Sequence, residues 1–437
     1  MAKRILLLTV LGLLASVQRL QAQIDFEKAP VNYGQVQSRD PIAGVIKQME
    51  SGQLKLEYDE RLGWLPSILK TLNIDSESQV FVFSKTSLQI HKISPRQPRA
   101  IYFNDDAYIG FCQNGEVLEI AATDPDLGAV FYTLDQDSEA TKIIADRGQC
   151  LTCHATNRTQ SVPGYLVRSV YSDFNGRPRS GTRSFVTDHA TEFSKRFGGW
   201  YVSGDHGSMR HLGNIVARDR VEPEKMDAEA GANVDDLSDL FNTQPYLTPH
   251  SDIVALMVLE HQSQMHNLLA RASMEARSAI YHDEGINEAL GRPKGTMSDS
   301  TQRRITRAAE DVVRYLLFAE EVTLDSPVHG NTQFANVFQA RSQKQAEVDS
   351  QGRSLRQFDL AKRLFKYPCS YMVYSKAFRD LPEPIYNQIR KRLYQVLTST
   401  EPIAEYKRLS DQDRKAVLEI LNETMPKLFG DLDSASL

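Results

Sequence analysis

Between residues 78 and 134 the chain reads QVFVFS (79–84), RAIYFN (99–104), YIGFC (108–112), VLEIAA (117–122) and GAVFYTL (128–134). The runs are short, rich in Val, Ile, Phe and Tyr, and separated by turn material such as Asn104-Asp105-Asp106 and Gln113-Asn114-Gly115-Glu116. β-branched and aromatic residues in runs of this length suit pleated strands, and Asn-Gly suits a tight hairpin, so the segment reads as antiparallel β. Ahead of it, Ile42, Val45, Ile46 and Met49 recur at helical spacing, which predicts a helix over Pro41–Ser51, with another over Trp64–Leu72. Past Ser251, read as a helix cap, the period stays helical through Met265 and Leu269. Further helices are expected at Thr301–Glu321, Ser354–Phe365, Pro384–Leu397 and Ser410–Leu421, punctuated by Pro368, Pro382 and Pro402.

The 437 residues are 41% hydrophobic and 24% charged, which excludes disordered, collagenous and coiled-coil chains. With 51 Lys+Arg against 56 Asp+Glu the net charge is −5, and nothing in it argues for nucleic acid. Lys3 and Arg4 precede a mostly apolar run from Ile5 to Val17, and Leu20-Gln21-Ala22 ends in a signal-peptidase pattern. Residues 1–22 therefore read as a signal peptide, and the apolar run is too short to span a bilayer about 30 Å thick. The expected location is the periplasm or outside the cell, with no stable membrane insertion after signal removal.

Cys150-Leu151-Thr152-Cys153-His154 is a C-x-x-C-H sequence, the attachment motif for c-type haem. Two thiols three positions apart reach the two vinyl groups of one porphyrin, and the next residue carries its imidazole to the iron. A thioredoxin-type pair would need a preceding βαβ strand, and a zinc site would need a second pair of ligands at close spacing; neither is evident. One covalent haem with its iron is the expected cofactor. Arg147 and Arg158 are the nearest guanidinium groups for its propionates. The axial ligand is His154. For the sixth position Met209, in a loop between Gly207 and Gly213, is the leading choice, and His206 and His211 flank it. Either histidine could instead stand over open iron with Arg210. Cys112 and Cys369 could pair or remain free thiols.

The segments GQCLTCHAT (148–156) and RFGGWYVSGDHGSMRHLGN (196–214) resemble a group of exported bacterial proteins described as cytochrome c domain-containing. ALMVLEHQ (255–262) and LFKYPCSY (364–371) extend the resemblance over most of the chain. It implies haem binding and electron transfer, and no substrate. The expected fold class is α+β: a β-rich N-terminal region (23–139), a small helical cytochrome c-like haem region (140–216), a polar, acidic linker (217–249) and a mainly α-helical C-terminal region (250–437). The expected function is electron transfer with a periplasmic redox partner protein. The alternatives are a peroxidase- or oxygenase-like haem enzyme with a His/Arg distal site, and a gas-binding sensor. A simple carrier needs only about 100 residues, and the surplus argues for a second task.

Overall fold

The structure is a computed structural model that describes residues 24–139, 141–146, 148–217, 226–430 and 432. The expected signal peptide and Arg147 lie outside the described residues.

The described residues form nine strands: β1 (Val80–Val82), β2 (Arg99–Phe103), β3 (Ala107–Cys112), β4 (Val117–Asp124), β5 (Gly128–Asp135), β6 (Ile143–Ala145), β7 (Arg168–Val170), β8 (Ser184–Val186) and β9 (Trp200–Tyr201). Seven form one antiparallel sheet in the order β6-β5-β4-β3-β2-β1-β9, and β7 pairs with β8 as a separate ribbon. The five runs read from the sequence are β1 to β5. β9 comes from the expected haem region and closes the far edge by pairing Tyr201 with Phe81 and Trp200 with Val82.

The register divides the sheet residues between two cores, because alternate side chains point to opposite faces. Pairings Ile101↔Gly110, Gly110↔Glu119, Glu119↔Thr133 and Ala121↔Phe131 put these residues and Arg99 on one face. Ala100, Phe111, Ile120 and Tyr132 point the other way. There they meet helices α1 (Pro41–Glu50) and α2 (Leu65–Thr71) through Ile42, Val45, Leu65 and Ile68.

After the one-turn helix α3 (Leu151–His154), the helices are α4 (Ile253–Leu290), α5 (Asp299–Leu316), α6 (Phe334–Lys344), α7 (Lys376–Arg379), α8 (Glu383–Thr398) and α9 (Asp411–Thr424). α4 has 38 residues and runs about 57 Å at 1.5 Å per residue. Every residue from Ile253 to Ser263 is buried, as befits a helix enclosed on all sides. It packs on β5 and on α5, and α5 packs on α8.

Four expectations need correction. Ser251 is not the cap of α4: its hydroxyl donates to the Tyr201 carbonyl (2.6 Å) and accepts from the Phe81 N–H (2.9 Å), pinning the sheet edge. The cap is Asp252, whose Oδ1 accepts from Val254 N–H (2.8 Å) while Oδ2 accepts from Thr332 N–H (3.1 Å) and Oγ1 (2.8 Å). Asp252→Ala should therefore cost about 2–4 kcal/mol, above the ~1 of an ordinary cap, because buried donors lose their acceptor; urea midpoints at constant m-value would measure it.

Ser354–Phe365 is not helical. Asp359 Oδ1 accepts from the N–H of Ala361 (2.9 Å) and Lys362 (2.7 Å), offering the backbone a local turn, and Leu360 sits at φ +57°. The 140–216 region is less helical than expected: among its described residues the only α-helix is α3, and the rest is 3₁₀ turns, loops and the four short strands β6–β9. Residues 226–249 are a strap more than a linker. Leu237, Phe241 and Tyr246 are buried under the sheet, and Tyr246 Oη donates to Pro98 O (2.6 Å). Cys112 and Cys369 are both buried and free.

Candidate functional site around the Cys150–His154 turn

The turn is built by short-range hydrogen bonds. Asp146 Oδ2 accepts from the N–H groups of Gly148 and Cys150, both at 2.9 Å, and Gly148 takes φ +114°, a conformation that favours glycine. Cys150 O accepts from Cys153 N–H (3.1 Å) and His154 N–H (3.0 Å), closing the helical turn. Cys150 is half-buried and Cys153 exposed, and both are free thiols. Burial and the Asp146 carboxylate push the Cys150 thiol up to about 12. Catalytic dithiols need the opposite, a thiol held below its ordinary range, so the turn does not resemble a disulfide-exchange site.

His154 is held in one tautomer. Its Nδ1 lies 2.9 Å from Gly164 O, and Gly164 N–H donates back to His154 O at 2.8 Å. A carbonyl only accepts, so Nδ1 carries the proton and Nε2 keeps its lone pair. Burial also lowers the imidazole pKa, which keeps the ring neutral. A ring nitrogen with a free lone pair, oriented by a backbone carbonyl behind it, is the arrangement of a metal-ligating histidine. Phe131 packs against the ring with centroids 4.8 Å apart.

Gly164 is fixed in turn by α4. Asn267 accepts from Tyr165 N–H (2.7 Å) and donates to Tyr165 O (2.8 Å), and a Cβ on Gly164 would lie 2.3 Å from Asn267 Oδ1. The histidine turn thus docks on the long helix through a buried amide clamp.

Opposite the turn lies the sheet face carrying Arg99, Ile101, Gly110, Glu119 and Ala121. Arg99 and Glu119 form an ion pair, each side chain about 15% exposed (16% and 15%), and both act electrostatically on His154. Arg99 Nε is buried with no partner among the described residues. Arg168 acts on the turn from the other side. It interacts with Cys153 and with Arg158, burial and Arg158 depress its pKa, and its Nε also lacks a partner. Arg158 itself is exposed, on a 3₁₀ turn at Asn157–Thr159.

The expected sixth ligands are placed elsewhere. Their loop follows β9, at the edge of the sheet opposite β5 and β6. Gly204 packs on Ile253 at the start of α4, whereas the histidine turn docks at Asn267, 14 residues or about 21 Å further along the helix. Among the described residues no hydrogen bond or ring contact joins Met209, His206 or His211 to the Cys150–His154 turn. His206 has both nitrogens occupied: Nδ1 donates to Met209 O (2.7 Å) and Nε2 accepts from Asn233 N–H (3.1 Å). His211 Nδ1 accepts from Gly213 N–H (3.0 Å), and burial drops its pKa to about 3. Arg210 is tied to Glu229 (2.6 Å) and to the carbonyls of Gly207 and Met209, while its Nε and His211 Nε2 are buried with no partner among the described residues. These residues lie close to one another in sequence, but their loop follows β9 at one edge of the sheet, and the His154 turn packs on β5 toward the other.

His261 is a core residue, bonded to Ser370 Oγ (2.7 Å) and His189 Nδ1 (2.8 Å). Among the described residues no three His, Cys, Asp or Glu side chains are grouped so as to hold a metal ion by themselves. Among the described residues no helix is long and apolar enough to cross a membrane.

Compared with protein-family models, with curated proteins and with solved structures, the chain matches none. The site's chemistry therefore rests on its own residues. A histidine offering Nε2, beside two free thiols on the same turn, is a donor set that fits one porphyrin and its iron. The unpartnered guanidinium nitrogens of Arg99 and Arg168 fit carboxylates. Of these, Arg168 was one of several arginines near the motif in sequence, and Arg99 carried no sequence signal, lying 55 positions before His154.

Proposed function

We propose that this chain is an exported c-type haem protein with one covalent haem, transferring electrons with a periplasmic redox partner. The observation that carries the reading is the His154 geometry: Nδ1 held by Gly164 O, Nε2 free, and Cys150 and Cys153 unpaired within the preceding turn. Each thiol would add across one vinyl group, sulfur to one carbon and hydrogen to the other, with no oxidant needed. The iron would supply one-electron chemistry. His154 would hold the iron through Nε2, and Arg168 and Arg99 would pair with the carboxylates of the porphyrin. The resemblance to exported cytochrome c domain-containing proteins and the signal-like residues 1–22 support the same reading.

A second reading is favoured by one observation: Met209, His206 and His211 attach to the far edge of the sheet. On that reading the sixth position is open, and the protein is a haem enzyme or a gas-binding module. Adding peroxide or nitric oxide to the purified ferric protein separates the two. An unchanged visible spectrum supports the carrier, and a shifted one the open site.

Met209→Ala should leave the haem spectrum unchanged, since the Met209 loop follows β9 at the sheet edge opposite β5 and, among the described residues, no hydrogen bond joins it to the His154 turn. Loss of a sulfur-to-iron band near the red edge of the spectrum would show that the loop reaches the iron after all.

A further inference from the structure

A cavity of about 390 Å³ lies away from the histidine turn, between the β2–β3 connection, the segment after α6 and the start of α7. That volume is within the range of small-molecule sites. Its floor is the buried Arg356 guanidinium, which donates to Glu347 (Nε, 2.6 Å) and Asp105 (Nη2, 2.6 Å) and lies over the Tyr371 ring at 4.5 Å. These charges satisfy one another.

Three charges on the cavity wall are left over. The Asp106 carboxylate has no hydrogen-bond or ion-pair partner among the described residues; burial and the Asp105 charge raise its pKa to about 6 against the opposing pull of Arg356, Arg379 and Lys376, which face it without touching it. Across from it, Lys376 and Arg379 are exposed, and neither has a carboxylate within ion-pairing distance among the described residues. Lys376 Nζ reaches only the Arg39 carbonyl, at 3.5 Å. Tyr374 and Met425 supply the less polar wall. An unpaired carboxylate facing two unpaired cations is the mirror of a molecule with one ammonium and two carboxylates.

We propose that this cavity binds a small amino dicarboxylate of the glutamate class, its ammonium on Asp106 and its carboxylates on Lys376 and Arg379. The proposal stands apart from the haem reading. It gives a task to part of the chain that one haem does not require.

The test is titration calorimetry on the full-length mature protein with L-glutamate, glutarate and cadaverine. L-Glutamate should bind saturably. Glutarate, which lacks the ammonium, and cadaverine, which lacks both carboxylates, should bind about tenfold or more weaker, the loss expected for one charged hydrogen-bonding group. Asp106→Asn should weaken L-glutamate by a similar factor and leave glutarate unaffected, and Arg379→Ala should weaken both dicarboxylates. Lys376→Ala and Arg379→Ala change exposed side chains, so they keep the test valid if Asp106→Asn fails to fold. No saturable binding of L-glutamate at about 10 mM, equal affinity for glutarate, or L-glutamate affinity unmoved by these substitutions would each overturn the proposal.

Discussion

Replacing Cys150 and Cys153 together by Ser is expected to abolish covalent haem, with no haem stain remaining on the chain after denaturing electrophoresis. The expectation follows from where the thiols sit. Both are free and flank the one turn that carries His154, whereas Cys112 and Cys369 are buried in the sheet and in the helical core. Each single Ser variant should keep at most one thioether. The fold itself should change little, because Cys153 is exposed and Cys150 only half-buried. Circular dichroism separates loss of cofactor from loss of fold. A double variant that stains normally would mean that haem, if present, is held elsewhere.

The second large effect is expected at the clamp behind His154. Asn267 is buried and holds both the N–H and the carbonyl of Tyr165. Asn267→Ala leaves both backbone groups unpaired in the core, a loss of about 2–4 kcal/mol. Gly164→Ala should cost about 1–3 kcal/mol in the native chain, since the new methyl would lie 2.3 Å from Asn267 Oδ1. Because both act through one contact, they should not be additive. In an Asn267→Ala background the clash with Oδ1 is gone and only Thr159 Cβ, 3.2 Å away, stays close, so Gly164→Ala should cost much less than in the native chain. Urea unfolding of the four proteins measures the coupling. Strict additivity would show that Gly164 and Asn267 are not in the contact described.

How much of this the sequence disclosed depends on the range of the interaction. β1 to β5 were legible because each carries its own run of aliphatic and aromatic residues, and Asn114-Gly115 marked a turn. β9 was not: a two-residue strand has no period, and Trp200-Tyr201 becomes a strand only because β1 offers it an edge. The segment 354–365 has apolar residues at helical intervals, yet the Asp359 side chain and the Arg356 pairing with Asp105, 251 residues away, fix it as a turn. Ser251 and Asp252 are both good caps by type, and only the packing of Tyr201 and Phe81 shows which one is engaged elsewhere.

The same distinction governs the site. Cys150, Cys153 and His154 are contiguous, so the sequence exposes them at once. The Gly164 carbonyl, the Asn267 clamp, and the Arg99–Glu119 pair come from distant elements and leave no local mark. Met209, His206 and His211 cluster in sequence with suitable donors, which made them plausible ligands. Their loop belongs to the β9 edge, and the motif turn to the β5 edge.

The intact mass of the exported, purified chain tests the central claim most directly. The expected mass is that of the signal-cleaved polypeptide plus one haem, unchanged by denaturation, with neither Cys150 nor Cys153 available to a thiol reagent. A chain at its bare polypeptide mass, with both thiols freely alkylated after expression alongside a working haem-attachment system, would contradict it.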